Sequence, residues 1–413
     1  MDDKFLFTKI SGGICAAQGF KAHGIHSGLR KNVSRLDLAL IKADVKCNAA
    51  GVYTKNKVFA APVGVTRAHL ANGIAQAVIC NSGNANACTS DGYDTANLTC
   101  AALSEALGIP EDDVIVASTG VIGISLDTQP ILNAIPALIE NLEHSADASD
   151  KAASAIMTTD TKKKEFAYSF EIGGKAVKIG GICKGSGMIH PNMGTMLCFI
   201  TTDCAISSDA LHTALLNAVE DTYNMVTVDG DTSTNDMVTV LASGLACNEL
   251  ISDTDSDDYS IFASALKKLC GDMALAIAAD GEGATKLLVC DVTGTKTKAD
   301  AKILAKAVAA SSLVKTAMYG SDANWGRVIC ALGYSGVDID TSKIEISFES
   351  CVGVIDVCKN GGGYPFDEDT AKKILSEDKI RIICSMNDGE YSAEAYGCDL
   401  SYEYVRINGD YRS

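Results

Sequence analysis

A glycine-rich stretch in the middle of the chain carries the residue types best suited to chemistry. Residues 184–195 read KGSGMIHPNMGT and run directly into MLCFI, an apolar pattern typical of a buried strand. A hydroxyl at the start of such a strand, preceded by a flexible glycine, suits a self-processing nucleophile. The Thr195 hydroxyl can attack the carbonyl of Gly194, and the α-amine freed by cleavage then serves as its base. An ordinary turn before a strand fits the same spacing and stays an alternative.

This chemistry needs supporting groups. An α-amine titrates near pH 8, roughly two to three units below a lysine, so part of it is unprotonated at neutral pH. A carbonyl under attack also needs hydrogen-bond donors aimed at the oxyanion that develops. Residues Ser118-Thr119-Gly120 follow a short apolar strand pattern and can supply a hydroxyl and a backbone N–H. A simple turn is the alternative for this fragment taken alone.

Other polar fragments match known sites poorly. Residues 229–233, DGDTS, follow an apolar segment as in aspartyl-phosphate phosphatases, but polar residues follow where that motif stays apolar. An EF-hand is excluded because Val240 occupies the position of the bidentate glutamate. Neither a phosphate-binding GxxxxGK[ST] loop nor a GxSxG elbow occurs. His23 and His26 form a near pair without a third ligand close by, so no metal site is expected.

The 16 cysteines are predicted to be structural. No Cys-x-x-Cys pair occurs, and many of the cysteines sit in apolar stretches, where a thiol behaves as a small hydrophobe. A zinc or iron–sulfur centre favours closely spaced pairs. A disulfide framework and a metal site remain the weaker alternatives, and a reducing compartment fits best.

Composition limits the classes of function. The chain has 413 residues, 47% of them hydrophobic and 21% charged, which is ordinary for a compact protein of two or three domains' worth of structure. Its 52 acidic and 35 basic residues give a net charge of −17, which argues against nucleic acid or an anionic membrane as partner. No apolar run approaches a membrane helix, and the start lacks the basic region of a signal peptide. We therefore expect a cytoplasmic enzyme or binding protein.

Strand and helix patterns alternate along the whole chain. This mixture predicts an α+β (or α/β) fold with mixed sheets covered by helices. A hairpin is expected around Gly173-Gly174, and Gly108 is expected to end a helix. The patterns predict strands at 35–43 and 114–117, hairpin strands within 166–179, and helices at 94–107, 132–142, 149–157, 208–223, 259–279, 299–310 and 369–375, with further strands from residue 344 on.

Taken together, these fragments make the chain resemble ornithine acetyltransferase, the glutamate N-acetyltransferase of the cyclic arginine pathway. The matching strings run almost from end to end in one order, which makes the set far more specific than any single string. They are GGICAAQGF (12–20), YTKN (53–56) with APV (61–63), NSGNANA (81–87), STGVIG (118–123), AIMTTDT (155–161), residues 184–197, DGDTSTND (229–236), GEGATK (281–286), ANWGR (323–327) and residues 404–413.

The resemblance implies an N-terminal-nucleophile-like proenzyme that cuts itself between Gly194 and Thr195. It implies an N-terminal α-chain of residues 1–194 and a C-terminal β-chain of residues 195–413, which stay together and pair as a heterotetramer. The implied reaction is a ping-pong transfer: Thr195 takes the acetyl group of N-acetylornithine, ornithine leaves, and glutamate accepts the acetyl. No cofactor and no metal are implied, and acetyl-CoA stays open as a co-substrate.

The resemblance also assigns residues. Thr119 and Gly120 match the family's oxyanion pair. The positions matching its substrate-binding residues are Thr158, Lys184, Thr195, Glu282, Asn408 and Ser413, and the choice between Thr158 and Thr159 is open.

These residue types suit an amino-acid substrate. Lys184 suits its carboxylate, either Glu282 or the C-terminal carboxylate suits its ammonium, and the side chains of Asn408 and Ser413 offer neutral hydrogen bonds.

Two positions depart from the family pattern. Gly194 stands where the family commonly has alanine, and Ser413 stands where it commonly has threonine. A hydrolase or aminopeptidase with the same self-processing threonine remains the alternative, because only the exclusion of water from the acyl-enzyme separates transfer from hydrolysis. A binding protein without activity is the third and weakest hypothesis.

Overall fold

The structure is a computed structural model that describes residues 5–190 and 196–410. Within these residues the chain forms sixteen strands, which divide between two mixed sheets. In chain order they are β1 (Thr8–Ile10), β2 (Phe20–Ile25), β3 (Leu38–Tyr53), β4 (Ile74–Asn84), β5 (Val114–Val121), β6 (Lys164–Ile172), β7 (Lys175–Lys184), β8 (Leu197–Thr202), β9 (Val226–Thr227), β10 (Met237–Ala242), β11 (Leu287–Thr295), β12 (Glu345–Ser350), β13 (Gly353–Lys359), β14 (Gly362–Gly363), β15 (Lys379–Ser385) and β16 (Tyr391–Cys398).

The first sheet has the strand order β1-β6-β7-β8-β10-β3-β4-β5, with β2 also paired to β3. Its β8–β10 and β4–β5 pairs are parallel, and its other pairs are antiparallel. The second sheet has the order β14-β13-β12-β15-β11-β16-β9, and its β11–β15 and β16–β9 pairs are parallel. Both sheets are therefore mixed, as the sequence predicts.

Helices cover the two sheets, and several begin at a hydroxyl side chain. Ser145, Ser207, Ser256, Thr297 and Ser311 each accept the amide of the third residue on, which satisfies an otherwise unpaired N–H of the first turn. The helices are α1 (Ala61–His69), α2 (Gly92–Leu107), α3 (Gln129–Glu140), α4 (Ala146–Ile156), α5 (Ser208–Asp221), α6 (Asp257–Ala279), α7 (Lys298–Ala310), α8 (Ser312–Tyr319), α9 (Trp325–Gly333), α10 (Glu368–Leu375) and α11 (Tyr402–Asp410).

Strand β8 lies in the middle of the first sheet and is buried on both faces. Cys198 and Ile200 pack into the apolar cluster formed with α5 and α6. Leu197 and Phe199 face the opposite cluster, which includes the buried alanines of α4. A strand covered by helices on both faces needs apolar side chains at every position, which explains its continuous apolar pattern.

Most of the predicted elements are confirmed with shifted ends. The hairpin at Gly173-Gly174 joins β6 to β7, and Gly108 ends α2 in a left-handed conformation, with φ 66°. The strand predicted at 35–43 instead begins at Leu38 and continues to Tyr53. Four helices of eight or nine residues, α1, α8, α9 and α11, were not predicted, because periodicity is weak over so few residues.

The cysteines and the helices add two observations. All 16 cysteines lie in the described part of the chain and are free thiols, and twelve of them are buried. Burial raises the pKa of these buried thiols; that of Cys80, for example, is raised to about 12. Among residues 5–190 and 196–410, no helix combines the length and the apolar character needed to cross a membrane.

Candidate active site

The strand that follows the predicted nucleophile begins beside Lys184. Leu197, the first residue of β8, pairs with Lys184 at the end of β7 and with Met237 at the start of β10. The Met196 carbonyl accepts the Met237 amide at 2.8 Å. Gly194 and Thr195 themselves lie outside the described residues, so the structure does not test their predicted roles.

Six of the predicted site residues line one open cleft. Its empty space, which includes the open solvent at its mouth, is about 560 Å³. Thr158 and Thr159 both line it, so the choice between them stays open, and Ser413 lies outside the described residues. The predicted residues in the cleft wall are Thr119, Gly120, Thr158, Lys184, Glu282 and Asn408.

Lys184 reaches the predicted oxyanion residue. Its Nζ donates a hydrogen bond of 3.2 Å to the Thr119 hydroxyl. The two residues belong to β7 and β5, which are far apart in the strand order of the sheet, so its three-dimensional folding brings them together. A positive charge therefore lies beside the hydroxyl that is predicted to stabilise an oxyanion.

The backbone at Gly120 accepts no side chain. Its φ is 135°, and a Cβ there would overlap the backbone of Gly83 on the neighbouring strand. Ser118, two residues earlier, is held from outside the strand pair, because the Asn235 side-chain amide donates to the Ser118 carbonyl at 2.8 Å and to the Ala85 carbonyl at 2.7 Å. Asn235 thus fixes the Thr119–Gly120 segment, a role that the sequence analysis did not assign.

A buried ion network ties three walls of the cleft together. The Lys164 ammonium lies 2.7 Å from an Asp160 carboxylate oxygen and 2.6 Å from one of Asp280, and all three side chains are buried. Asp160 also accepts the amides of Thr158 at 3.0 Å and Gly185 at 2.7 Å. One network therefore fixes the chain at three places: at Thr158, at Gly185 next to Lys184, and at Asp280, two residues before Glu282.

The charges of this network are strongly coupled. Burial raises the pKa of Asp160, but Lys164, Lys184 and the accepted hydrogen bonds outweigh it and lower that pKa to about 2. Burial likewise lowers the pKa of Lys164, while Asp160 and Asp280 raise it above its usual value. Asp160 is therefore a carboxylate and Lys164 an ammonium at neutral pH.

Glu282 and Asn408 form a second polar wall. The Asn408 side-chain amide donates a hydrogen bond of 2.8 Å to a Glu282 carboxylate oxygen. The backbone N–H of Glu282 donates one of 2.9 Å to the Ser186 carbonyl. Glu282 is only 9% exposed, and Gly187 leaves room for its carboxylate, since a Cβ at that position would overlap it. The same cleft is thus lined by a buried carboxylate and by the ammonium of Lys184.

A second carboxyl group at this end of the sheet was missed by sequence reasoning. Asp236 directly precedes β10 and is buried, and its Oδ2 has no hydrogen-bond partner within the described residues. Burial raises its pKa well above the usual value, although Ser233, Lys184 and Thr54 lower it in part. A buried carboxyl group with one oxygen left without a hydrogen bond is a signal that needs the three-dimensional structure.

The histidine pair belongs to its own loop. His26 contacts the Arg35 carbonyl at 3.0 Å and Asp37 at 3.2 Å through its Nδ1. Burial and Lys151 lower the pKa of His23. Within residues 5–190 and 196–410, no three His, Cys, Asp or Glu side chains are grouped so as to hold a metal ion.

Comparisons with known proteins agree on one family. The ArgJ family model matches residues 21–413. The arginine biosynthesis bifunctional protein ArgJ 1 of Clostridium acetobutylicum is 49% identical, covering 95% of this chain and 96% of its own. The arginine biosynthesis bifunctional protein ArgJ of Bacillus subtilis is 45% identical, covering 98% of both chains.

A solved structure agrees with the sequence relatives. The crystal structure of arginine biosynthesis bifunctional protein ArgJ from Bacillus halodurans has a TM-score of 0.50 and 46% identity, covering 52% of this chain and 100% of its own. The chain belongs to the ArgJ family.

Proposed function

We propose that this chain is an acyltransferase of arginine biosynthesis that moves the acetyl group of N2-acetyl-L-ornithine to L-glutamate. The observation that carries this proposal is the single cleft in which Thr119 and Gly120, the Lys184 ammonium and the Glu282–Asn408 pair meet at the start of β8. The relatives named as arginine biosynthesis proteins over nearly the whole chain support the same reaction.

The proposed mechanism uses a covalent acetyl intermediate. The Thr195 hydroxyl adds to the acetyl carbonyl and gives its proton to the Thr195 α-amine. Thr119 and the Gly120 N–H stabilise the oxyanion, and Lys184, which already donates to the Thr119 hydroxyl, adds a positive charge beside it. Collapse breaks the amide C–N bond, the ornithine nitrogen takes the proton, and Thr195 keeps the acetyl group. The glutamate amine then attacks the ester, and the same steps return the free hydroxyl.

The opposite charges in the cleft suit an amino acid. Donor and acceptor both carry an α-carboxylate, which pairs with Lys184. The ornithine side chain ends in an ammonium, which suits the buried Glu282 carboxylate that Asn408 orients. Thr158 and Ser413 are proposed to supply further hydrogen bonds to the bound amino acid.

Self-cleavage between Gly194 and Thr195 is proposed to release the α-amine that serves as base. It gives an α-chain of residues 1–194 and a β-chain of residues 195–413, which remain associated and pair as a heterotetramer. The solved Bacillus halodurans chain is matched over its whole length by 52% of this chain, which is the length expected of one such fragment.

Two finer assignments complete the proposal. Acetyl-CoA is proposed as a second acetyl donor to glutamate, because the relatives carry the name bifunctional. A cytoplasmic location is proposed, since the buried thiols act as small apolar groups in a reducing compartment. Acetylation of glutamate by acetyl-CoA in the purified protein tests the first assignment.

Self-cleavage and turnover test the function together. The purified wild-type protein should run as two fragments on a denaturing gel, and Thr195→Ala should stay one chain without activity. Thr213→Ala, at an exposed helix position, is the matched control and should cleave normally. Varied N-acetylornithine and glutamate should give parallel double-reciprocal lines. Cleavage of Thr195→Ala at the same bond, or release of acetate without glutamate, would overturn the proposed mechanism.

A further inference from the structure

The loop that follows β9 holds the chain just before the proposed cleavage site. The Asp229 carboxylate accepts the amides of Met188 at 2.6 Å and Ile189 at 2.9 Å. The backbone N–H of Val228 donates a hydrogen bond of 2.7 Å to the Ile189 carbonyl, and the Thr232 hydroxyl donates one of 2.8 Å to the His190 carbonyl. Three consecutive residues of the upstream segment are therefore bound by one loop.

The segment held in this way does not adopt an ordinary conformation. Met188 has a φ of +56°, which is unfavourable for a residue with a side chain and costs roughly 1–2 kcal/mol. Its side chain is about half exposed, so packing in a core does not fix this conformation. The two amide hydrogen bonds to the Asp229 carboxylate do fix it, because they bind the N–H of Met188 and the N–H that follows.

The holding loop is itself anchored to the first sheet. The Thr54 hydroxyl, just after β3, donates a hydrogen bond of 2.9 Å to the Ser233 carbonyl. The side-chain amide of Asn56 donates one of 3.0 Å to the Thr232 carbonyl. The Asp229 carboxylate also accepts a hydrogen bond of 3.2 Å from the backbone N–H of Asp231, within the same loop. The loop therefore links the segment before the cleavage site to a fixed framework.

We propose that Asp229 is a positioning residue for self-cleavage at the Gly194–Thr195 bond: its carboxylate holds Met188 and Ile189, a few residues upstream of that bond, in one conformation. The inference deepens the self-cleavage proposed above and rests on it. It also gives a role to the DGDTS motif, which fits neither a phosphatase nor a calcium loop.

The geometry predicts that cleavage depends on Asp229 more than later turnover does. Gly187 and Met188 line the cleft together with residues of several other elements, whereas this loop binds residues 188–190 directly. An asparagine keeps one acceptor oxygen but presents an NH₂ group to the second amide, so it cannot bind both N–H groups. Loss of one charge-assisted hydrogen bond corresponds to a change of about tenfold or more in rate.

The test follows cleavage of the full chain made by cell-free synthesis, sampled over time on denaturing gels. Asp229→Asn should slow conversion by about tenfold or more. Thr232→Val, which removes only the bond to the His190 carbonyl, should slow it by a smaller factor. Asp231→Asn makes the same change of charge at an exposed position of the same loop and should cleave at the wild-type rate. Once cleaved, Asp229→Asn should keep a kcat for acetyl transfer, per cleaved molecule, within a few-fold of wild type.

The outcomes separate this inference from the proposed function. A wild-type chain that stays uncut overturns both. Normal cleavage of wild type together with equal cleavage rates for Asp229→Asn, Thr232→Val and Asp231→Asn overturns the inference alone. A loss of kcat in cleaved Asp229→Asn as large as the loss of cleavage rate also overturns it, since the residue would then act on the structure in general.

Discussion

The replacement Lys164→Met examines the buried network that ties the cleft walls together. Methionine keeps much of the length and apolar volume of lysine but removes the ammonium that lies 2.7 Å from Asp160 and 2.6 Å from Asp280. Removing one partner of a buried ion pair costs about 3–5 kcal/mol, because the other charge stays buried and uncompensated. Here two carboxylates are left, so we expect a loss at the upper end of that range.

The neighbouring residue provides a matched control. Lys163 is exposed and pairs with Asp150, so Lys163→Met removes the same charge one position earlier in the chain. An exposed ion pair contributes about 0–1 kcal/mol, and we expect a correspondingly small change. Urea denaturation followed by circular dichroism measures both variants, with equal slopes required for the comparison.

The stability of Lys164→Met relative to the wild type should change with pH in a defined direction. In the wild type the pKa of Asp160 lies at about 2, below its unfolded value, so its stabilisation is present above the unfolded pKa and disappears as pH falls toward 2. Without Lys164, the burial that acts to raise the pKa of Asp160 is opposed less, and the penalty for the buried carboxylate grows as pH rises past its unfolded pKa. Lys164→Met should therefore be closest to the wild type at about pH 2 and least stable relative to it at pH 7 and above. Equal stability of Lys164→Met and Lys163→Met at pH 7 would refute this reasoning.

Three further changes concern the cleft. Thr119→Ala should lower kcat by about 100- to 1000-fold with a smaller change in KM, as steady-state kinetics can show; turnover near wild type would remove Thr119 from the oxyanion site. Gly187→Ala should displace the Glu282 carboxylate and raise KM for N-acetylornithine, whereas Gly333→Ala, with open space around it, should leave KM unchanged. Lys184→Met should raise KM for both amino-acid substrates, and an effect on one substrate alone would contradict a shared carboxylate site.

Local patterns were enough to predict many of the elements. Gly173-Gly174 gives a hairpin because two glycines accept the positive φ values of its turn, 55° and 72°. The continuous apolar run of β8 predicted a strand, and burial on both faces explains it. Signals of this kind lie within about ten residues, where periodicity and turn chemistry act.

The arrangement of the cleft depends on contacts between distant segments. Lys164 and Asp280 are separated by 116 positions, and Asn235 and Ser118 by 117, so no local spacing indicates that they meet. The placement of Lys184 beside Thr119 likewise depends on how the first sheet folds. The resemblance to a family named Thr119, Lys184, Glu282 and Asn408, and the structure brings these four to one cleft. The resemblance assigned no role to the supporting residues Lys164, Asn235 and Asp229.

The proposed mechanism requires a covalent acetyl group on Thr195, the residue that starts the second fragment. The purified protein, incubated with N-acetylornithine and no glutamate, is denatured in acid and the masses of its fragments are measured. We expect one added acetyl group on the fragment beginning at Thr195, lost again when glutamate is added. Unmodified fragments from an enzyme that transfers acetyl at full rate, with intersecting double-reciprocal lines, would contradict it and indicate direct transfer between the two substrates.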